Sequence, residues 1–250
     1  MTTEELAKQI RISSLKMCHK AKTSHIGGCL SCADILAVLY NDILKTDDKL
    51  IISKGHCAAA IYSVLALTGK IPMEWIDRYC QDGAELGGHI THEINGIEVS
   101  TGSLGHGLSI ACGMALVDRN RNIFVLLSDG ECDEGSTWEA IDFASNNSLH
   151  NLIAIIDYNG WKSFSEAQPI KTLQKKLLAF GWYTMIVDGH NLDNLKHRLI
   201  YSLHVTDFSP TCIIAKTVKG KGVSFLENKL ESHYKTPSDE ELRLALKGLR

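Results

Sequence analysis

A doubly wound, mostly parallel α/β sheet with helices on both faces is the fold this sequence predicts, and three observations carry the expectation. Apolar runs of strand length alternate with helix-period segments along the whole chain. Two of those runs, Asn122 to Leu127 and Leu152 to Ile156, are apolar at nearly every position, as strands buried on both faces are. The segment between them, roughly Ser136 to Ser148, has helical spacing, with Trp138, Ile141, Phe143 and Ala144 on its apolar face. Strand, helix and strand make a βαβ unit, whose strands run parallel through a right-handed crossover.

Length and composition bound the rest. With 250 residues, 44% hydrophobic and 22% charged, the chain suits one globular domain spanning 1–250 with a good core. A net charge of -3 leaves no basic footprint for nucleic acid. No apolar run approaches membrane-spanning length, and Met1-Thr2-Thr3-Glu4-Glu5 lacks a leader's basic and apolar regions, so a cytoplasmic protein is expected. The eight cysteines are scattered through apolar segments, as reduced core residues are, and Cys29-x-x-Cys32 has no second pair to complete a zinc site.

Taken in order, Thr2 and Glu5 form a capping box for a first helix reaching about Lys20, with Leu6, Ile10, Ser14 and Met17 near one face. Lys22 to Gly28 reads as a loop, followed by a helix from Ser31 to about Ile43. Leu50 to Ser53 is a short strand that turns at Lys54-Gly55-His56 into the apolar helix Ala58 to Leu67. Pro72 opens a further helix to about Cys80. Asp82 to Gly107 is glycine-rich and irregular, and a loop this long in a compact domain is usually functional. A helix from Leu108 to about Val117 leads into the βαβ unit. Beyond it come polar surface (Gly160 to Gln168), a helix (Leu173 to Phe180), a strand (Trp182 to Val187), a helix (Asn191 to His204) and a last strand (Thr211 to Lys216). A loop bearing His233 precedes a terminal amphipathic helix, N-capped by Ser238 and running through Leu249.

The chemistry gathers where the two βαβ strands end. If they are neighbours, Asp129 and Asn159 leave their carboxyl ends on one sheet edge, where open α/β sheets bind ligands. A carboxylate and an amide oxygen are hard ligands suited to Mg²⁺ or Ca²⁺. Gly130 allows a tight turn, and the following helix N-terminus favours an anion, so the pattern implies a divalent cation holding a diphosphate. Spacing alone supports equally a structural βαβ unit in which Asp129 and Asn159 are turn residues. His25, His56, His89 and His233 each lie in or beside a glycine-containing loop, and each taken singly reads as a surface residue before a catalyst.

SDGE-x-x-EG-x-x-WEA followed by NLIAIIDYNG resembles the thiamine-diphosphate motif of transketolases, with Ser128 where the family usually has its first Gly. Four more segments resemble that family in the same order. KTSHIGG is similar to its K-S-G-H-P-G loop, with Ser24 and Ile26 replacing Gly and Pro. LIISKGHCAAAIY is similar to the segment whose His faces the diphosphate, with Lys54 where Asn is frequent. GGH and GIEVSTGSLGHGLSIACGMA resemble the segments at the aminopyrimidine, with His106 where many members have Gln. KTVKGKGVSFLENKLESHYK resembles the final loop, with Ser232 where many members have Trp.

The resemblance implies thiamine diphosphate with Mg²⁺, or Ca²⁺ as a substitute, the metal held by Asp129, Asn159 and the carbonyl of Trp161. It implies that His56 and His233 contact the diphosphate, that Gly130 approaches it by its backbone, and that Gly102 and Leu104 line the aminopyrimidine. His25, His89 and His233 would surround the reacting carbons of a sugar or sugar phosphate, as hydrogen-bond donors or acid–base groups. Glu131, Asp133, Glu134 and Glu139 follow the motif; they read as acidic dressing of a helix N-terminus, while Glu134 and Glu139 also resemble interface carboxylates that link paired sites in the family.

The sequence stops where the first domain of a single-chain transketolase would end, and the family's ring-activating Glu and pyrimidine-stacking aromatic belong to its second domain. The expectation is therefore the N-terminal subunit of a two-subunit transketolase, moving a two-carbon ketol unit from a ketose to an aldose together with a C-terminal partner, two copies of each. Three alternatives remain: the matching half of a deoxyxylulose-phosphate synthase, a 2-oxo-acid dehydrogenase α-subunit, and a cofactor-binding scaffold without turnover.

Overall fold

Five strands form one sheet, and every neighbouring pair is parallel. The strands are β1 (Lys49–Ile52), β2 (Ile123–Ser128), β3 (Leu152–Tyr158), β4 (Tyr183–Asp188) and β5 (Thr211–Lys216), in the order β1-β2-β3-β5-β4. The computed structural model describes residues 1–205 and 208–249.

Three connections advance through the sheet and carry α5 (His106–Val117), α6 (Gly135–Asn146) and α7 (Ile170–Ala179) on one face. The β4-to-β5 connection steps back and carries α8 (Leu192–Ser202) on the other face. One hand of crossover requires this division. The second face also holds α1 (Thr3–Ala21), α2 (Ile26–Ser31), α3 (Ala33–Val38), α4 (Ala58–Leu67) and α9 (Asp239–Gly248). Alternate strand residues feed two cores: Phe124, Leu126, Ile153 and Ile155 face α1–α4, while Val125, Leu127, Ala154 and Ile156 face α5–α7. The fully apolar strand runs in the sequence follow from this double burial.

Several local expectations need correction. Gly27 and Gly28 are helical, in α2, rather than in a loop. A Cβ on Gly27 would stand 2.3 Å from Ser232 Oγ, so close packing of the final loop demands glycine there. The helix expected over Ser31 to Ile43 breaks at Cys32 and ends in a π-turn over Leu39–Ile43. Pro72 precedes a 3₁₀ segment, Met73–Arg78, which buries no residue fully; only Trp75 and Ile76 pack, partly buried, against the core. Phe143 is exposed rather than on the packed face of α6, which is Thr137, Ala140, Ile141 and Ala144. Only half of the Thr2–Glu5 box forms: Glu5 N–H donates to Thr2 Oγ1 at 3.2 Å, but the Glu5 carboxylate accepts from Gln9 Nε2 instead. The complete box is at Ser238, with Glu241.

No helix among the described residues is long and apolar enough to cross a membrane. All eight cysteines are free, seven of them buried. Cys29 and Cys32 sit at the α2–α3 junction, where Cys32 Sγ donates to the Cys29 carbonyl at 3.6 Å. Alkylation after denaturation is expected to modify eight thiols by mass; a Cys29–Cys32 disulfide in fresh protein, or bound zinc, would contradict the assignment.

Candidate active site

The carboxyl ends of β1, β2, β3 and β5 lie side by side, and the residues following them enclose a small cavity. Gly28, His56, Leu104, Ser128, Asp129, Gly130, Asn159, Trp161, Lys219 and His233 are among those lining it. The parallel register sets Ser128 opposite Asp157, so Asp129 and Asn159 leave adjacent strand ends together. Asp129 is buried; its two oxygens accept from Gly130 N–H at 2.9 Å and Gly160 N–H at 2.7 Å. Asn159 Oδ1 accepts from Trp161 N–H at 3.1 Å, which orients the amide oxygen. Burial and then the Asp157 carboxylate push Asp129 up to about 7, against the Gly160 N–H and the ammonium groups of Lys54 and Lys219.

Gly130 opens the tight 3₁₀ turn that follows β2, as expected, but without a positive φ, and a Cβ there would meet nothing nearer than Lys162 at 3.8 Å. The room it leaves opens into the cavity. Ser128 is likewise free of positive φ, and its N–H and Oγ both turn to Glu131. Glycine is therefore not required at Ser128.

The four loop histidines converge. Ring centroids of His25 lie 4.8 Å from His233, 5.4 Å from His56 and 6.0 Å from His89. His25 occupies the left-handed region at φ 72°, a cost for any residue but glycine. It is held there by its N–H to the His233 carbonyl at 2.8 Å and by Ser24 Oγ at 2.9 Å from Nδ1. Gly102 packs so near His89 that a Cβ would be 3.0 Å from the ring, which seats the glycine-rich segment against the cluster. Burial, with neighbouring positive charge, lowers His25 and His233 to about 4, and lowers His56 well below the ordinary imidazole value.

These shifts have a sign. A histidine whose pKa falls on folding contributes stability that is present above about pH 6.5 and lost as pH drops toward 4, because the unfolded chain takes up its proton first. At pH 6, His25 and His233 are expected to remain neutral. Ring-nitrogen NMR titration measures this directly, and midpoints near 6.5 for both would refute it.

Sequence reasoning missed the charges buried behind the cavity wall. Lys54 and Asp157 are both completely buried and form an ion pair. Asp157 also accepts from Thr217 Oγ1 and, at 2.6 Å, from Ser31 Oγ. Burial opposes the charge on Lys54, but Asp157 beside it prevails and keeps the ammonium protonated. Asp157 belongs to β3, one residue beyond the apolar run Leu152 to Ile156; its signal was an acidic residue ending that run. Lys219 is buried as well, its Nζ 3.3 Å from His233 Nδ1, and burial lowers its pKa. The structure does not draw Glu134 and Glu139 into the cavity; both are exposed, at the start of α6 and on its surface. Among the described residues no three His, Cys, Asp or Glu are grouped to hold a metal by themselves. Any ion here would rely on amide and carbonyl oxygens beside Asp129.

The sequence and the fold both have relatives among known proteins. Residues 2–249 match the family model described as transketolase, thiamine diphosphate binding domain. The 6-deoxy-6-sulfo-D-fructose transketolase subunit of Clostridium sp. (strain MSTE9) is 38% identical over 97% of this chain and 94% of its own length. An apulose-4-phosphate transketolase subunit from Phocaeicola vulgatus is 36% identical, over 98% of this chain and 93% of its own. Human transketolase is 36% identical, but the chain spans only 39% of it. The crystal structure of transketolase from Campylobacter jejuni superposes with a TM-score of 0.90 at 28% identity, covering 99% of this chain and 42% of that one.

Proposed function

The chain belongs to the transketolase thiamine-diphosphate-binding-domain family, and from that premise we propose that it is the cofactor-binding subunit of a two-subunit transketolase, which transfers a two-carbon ketol unit between sugars. The observation that carries this reading is the convergence of Asp129, Asn159, Lys219, His56 and His233 on one cavity at the sheet's carboxyl edge, with the His25 ring against both of these histidines and against His89. Relatives of the same length are named as transketolase subunits, which supports a partner polypeptide. A second copy of each subunit would place a cofactor at each unlike-subunit interface, with Glu134 and Glu139 on the exposed surface available to it.

The residues fit the expected groups. Asp129 is a buried carboxylate held half-protonated near neutral pH by its surroundings, and a divalent cation beside it would restore its charge. Asp129, Asn159 Oδ1 and the Trp161 carbonyl would hold Mg²⁺, or Ca²⁺ in its place, through oxygen alone. Lys219, His56 and His233 would take the diphosphate oxygens, and Gly130 leaves its backbone open to them. Gly102 and Leu104 would flank the aminopyrimidine. Bound there, thiamine diphosphate would supply a stabilised carbanion for breaking and forming the carbon–carbon bond beside a ketose carbonyl.

The histidines then carry the proton chemistry. His25, His89 and His233 surround the space above the cofactor site, where an imidazole can donate to, or take a proton from, a sugar hydroxyl as its oxygen gains or loses charge. The low pKa of His25 and His233 favours the neutral form at working pH. The substrate class is a ketose donor with an aldose acceptor, free or phosphorylated. A ketol-transfer assay on the reconstituted complex tests the proposal: magnesium- and thiamine-diphosphate-dependent transfer supports it, and tight cofactor binding without transfer to any aldose would overturn it.

A further inference from the structure

Glu131 is a fully buried carboxylate near the cavity that neither the proposed metal nor the proposed cofactor contacts employ. It lies in the 3₁₀ turn Gly130–Asp133, directly after the metal motif, and has no exposure. That burial corrects its reading as acidic dressing of a helix end. Its two oxygens divide their partners between separate stretches of chain. Oε1 accepts from Ser53 Oγ and from Gly105 N–H at 3.0 Å. Oε2 accepts from Ser128 N–H at 2.8 Å and Ser128 Oγ at 3.3 Å. Ser53 Oγ in turn accepts from Gly107 N–H at 3.2 Å.

The carboxylate thus ties the end of β1, the end of β2 and the loop before α5 into one knot. Gly105 and Gly107 are the exit of the Thr101–Gly107 segment and the first turn of α5, whose leading N–H groups have no intrahelical partner. Gly105 itself adopts φ 83°, and a Cβ there would fall 2.5 Å from Ser136 Oγ, so the loop leaves no slack at this point. At its other end, Thr101 Oγ1 donates to the Ile52 carbonyl at 2.6 Å. Between the two anchors lie Gly102, against His89, and Leu104, on the cavity wall.

The structure assigns to Glu131 the role of a positioning residue: its buried carboxylate clamps the Thr101–Gly107 loop to the strand ends and so shapes the ring-facing wall of the cofactor site, without touching the cofactor. The inference rests on the proposed cofactor reading for the ligand it affects, but the clamp exists in the chain alone. Only a carboxylate suits the place. Two backbone N–H groups aim at different oxygens, and an amide offers one acceptor and sets its NH₂ against the other donor. A buried N–H left without a partner costs about 1–3 kcal/mol.

Glu131→Gln in the full chain is the test, because it keeps volume and shape. Two readouts separate the clamp from the cofactor reading. In the ligand-free protein, amide hydrogen exchange over 101–107 is expected to accelerate about 10-fold or more, the factor that roughly 1.4 kcal/mol of local opening produces, while exchange in β2 and β3 stays as in wild type. In binding, Mg²⁺–thiamine diphosphate affinity should fall about 10-fold, as loss of an orienting partner does, while Mg²⁺–pyrophosphate, which lacks the rings, binds as before. Unchanged exchange over 101–107 in a folded variant overturns the clamp. A parallel fall for both ligands also overturns it, since that would mark a general or diphosphate-side defect. If wild type reconstituted with its partner binds neither ligand, the cofactor reading fails and the exchange result alone decides the clamp. Should Glu131→Gln not fold, Ser53→Ala, which removes one donor to Glu131 and the acceptor for Gly107, is expected to show the same selective exchange, and wild-type exchange in that variant would overturn the clamp.

Discussion

Asp129→Ala is expected to abolish Mg²⁺-dependent thiamine diphosphate binding while the protein remains folded. Asp129 is the one carboxylate among the proposed metal ligands, and the remaining amide and carbonyl oxygens supply no charge to replace it. Loss of an outer partner of a ligand already costs about 10–100-fold in metal affinity, so losing the charged ligand should exceed about 100-fold. Folding survives because the change leaves both apolar cores intact. It costs two hydrogen bonds to Gly130 and Gly160 N–H and removes a carboxylate whose burial was itself unfavourable. The pH dependence carries the same signature. Asp129 has a raised pKa, so in the metal-free protein its contribution to stability is present below about pH 3.8 and lost as pH rises through about 7. Metal binding must displace that proton, and affinity should therefore weaken as pH falls below 7 in wild type. Calorimetric titration of the reconstituted complex, with circular dichroism as the folding control, measures the effect. Undiminished cofactor affinity in a folded Asp129→Ala protein would refute the metal assignment.

Much of this is legible in the sequence because parallel sheets write themselves plainly. Strands buried on both faces become unbroken apolar runs, and the runs read as β2, β3 and β5 end within two residues of the strands themselves. The edge that gathers Asp129, Asn159 and the four histidines follows from the same topology. What could not be read was anything set by contact between distant segments. Gly27 looks like a loop residue until Ser232 is seen pressing on it. Lys54 and Asp157, 103 positions apart, read as a turn lysine and a strand-ending acid; only the fold makes them one buried pair. Glu131 sits in an acidic run with Asp133 and Glu134, and composition cannot tell which of the three turns inward. Lys54, Asp157 and Glu131 share one feature: each is a polar group whose partners come from two or more other stretches of chain.

Lys54 is matched by Asp157, and Asp129 is the acid that most offsets the burial of Lys219, so both ammonium groups are partly compensated before any ligand arrives. Adding a dianionic diphosphate alone would leave uncompensated negative charge in a low-dielectric pocket, and adding a divalent cation alone would do the reverse. The two are expected to bind together.

Purified by itself, the chain is expected to show no ketol transfer, and to gain it on addition of a partner subunit. The support lies in the relatives that match it over nearly its whole length, which are named as transketolase subunits. Ring activation by acid–base catalysis is typically worth about 10²–10⁴-fold, and a misplaced ring forfeits the orientation advantage as well. The surface left open points the same way. Helices α5 and α6 pack on each other yet expose Ile110, Leu116 and Phe143, apolar area that a partner or a second copy would cover. Alone, the chain should therefore self-associate; with its partner it should form an assembly of two copies of each. A coupled assay with a ketose phosphate donor and an aldose acceptor, run on the chain, on the candidate partner and on the mixture, with light scattering for mass, decides between these. Robust turnover by the chain alone would sink the divided-site reading, whereas activity that appears only in the mixture, at a mass of two plus two subunits, would establish it.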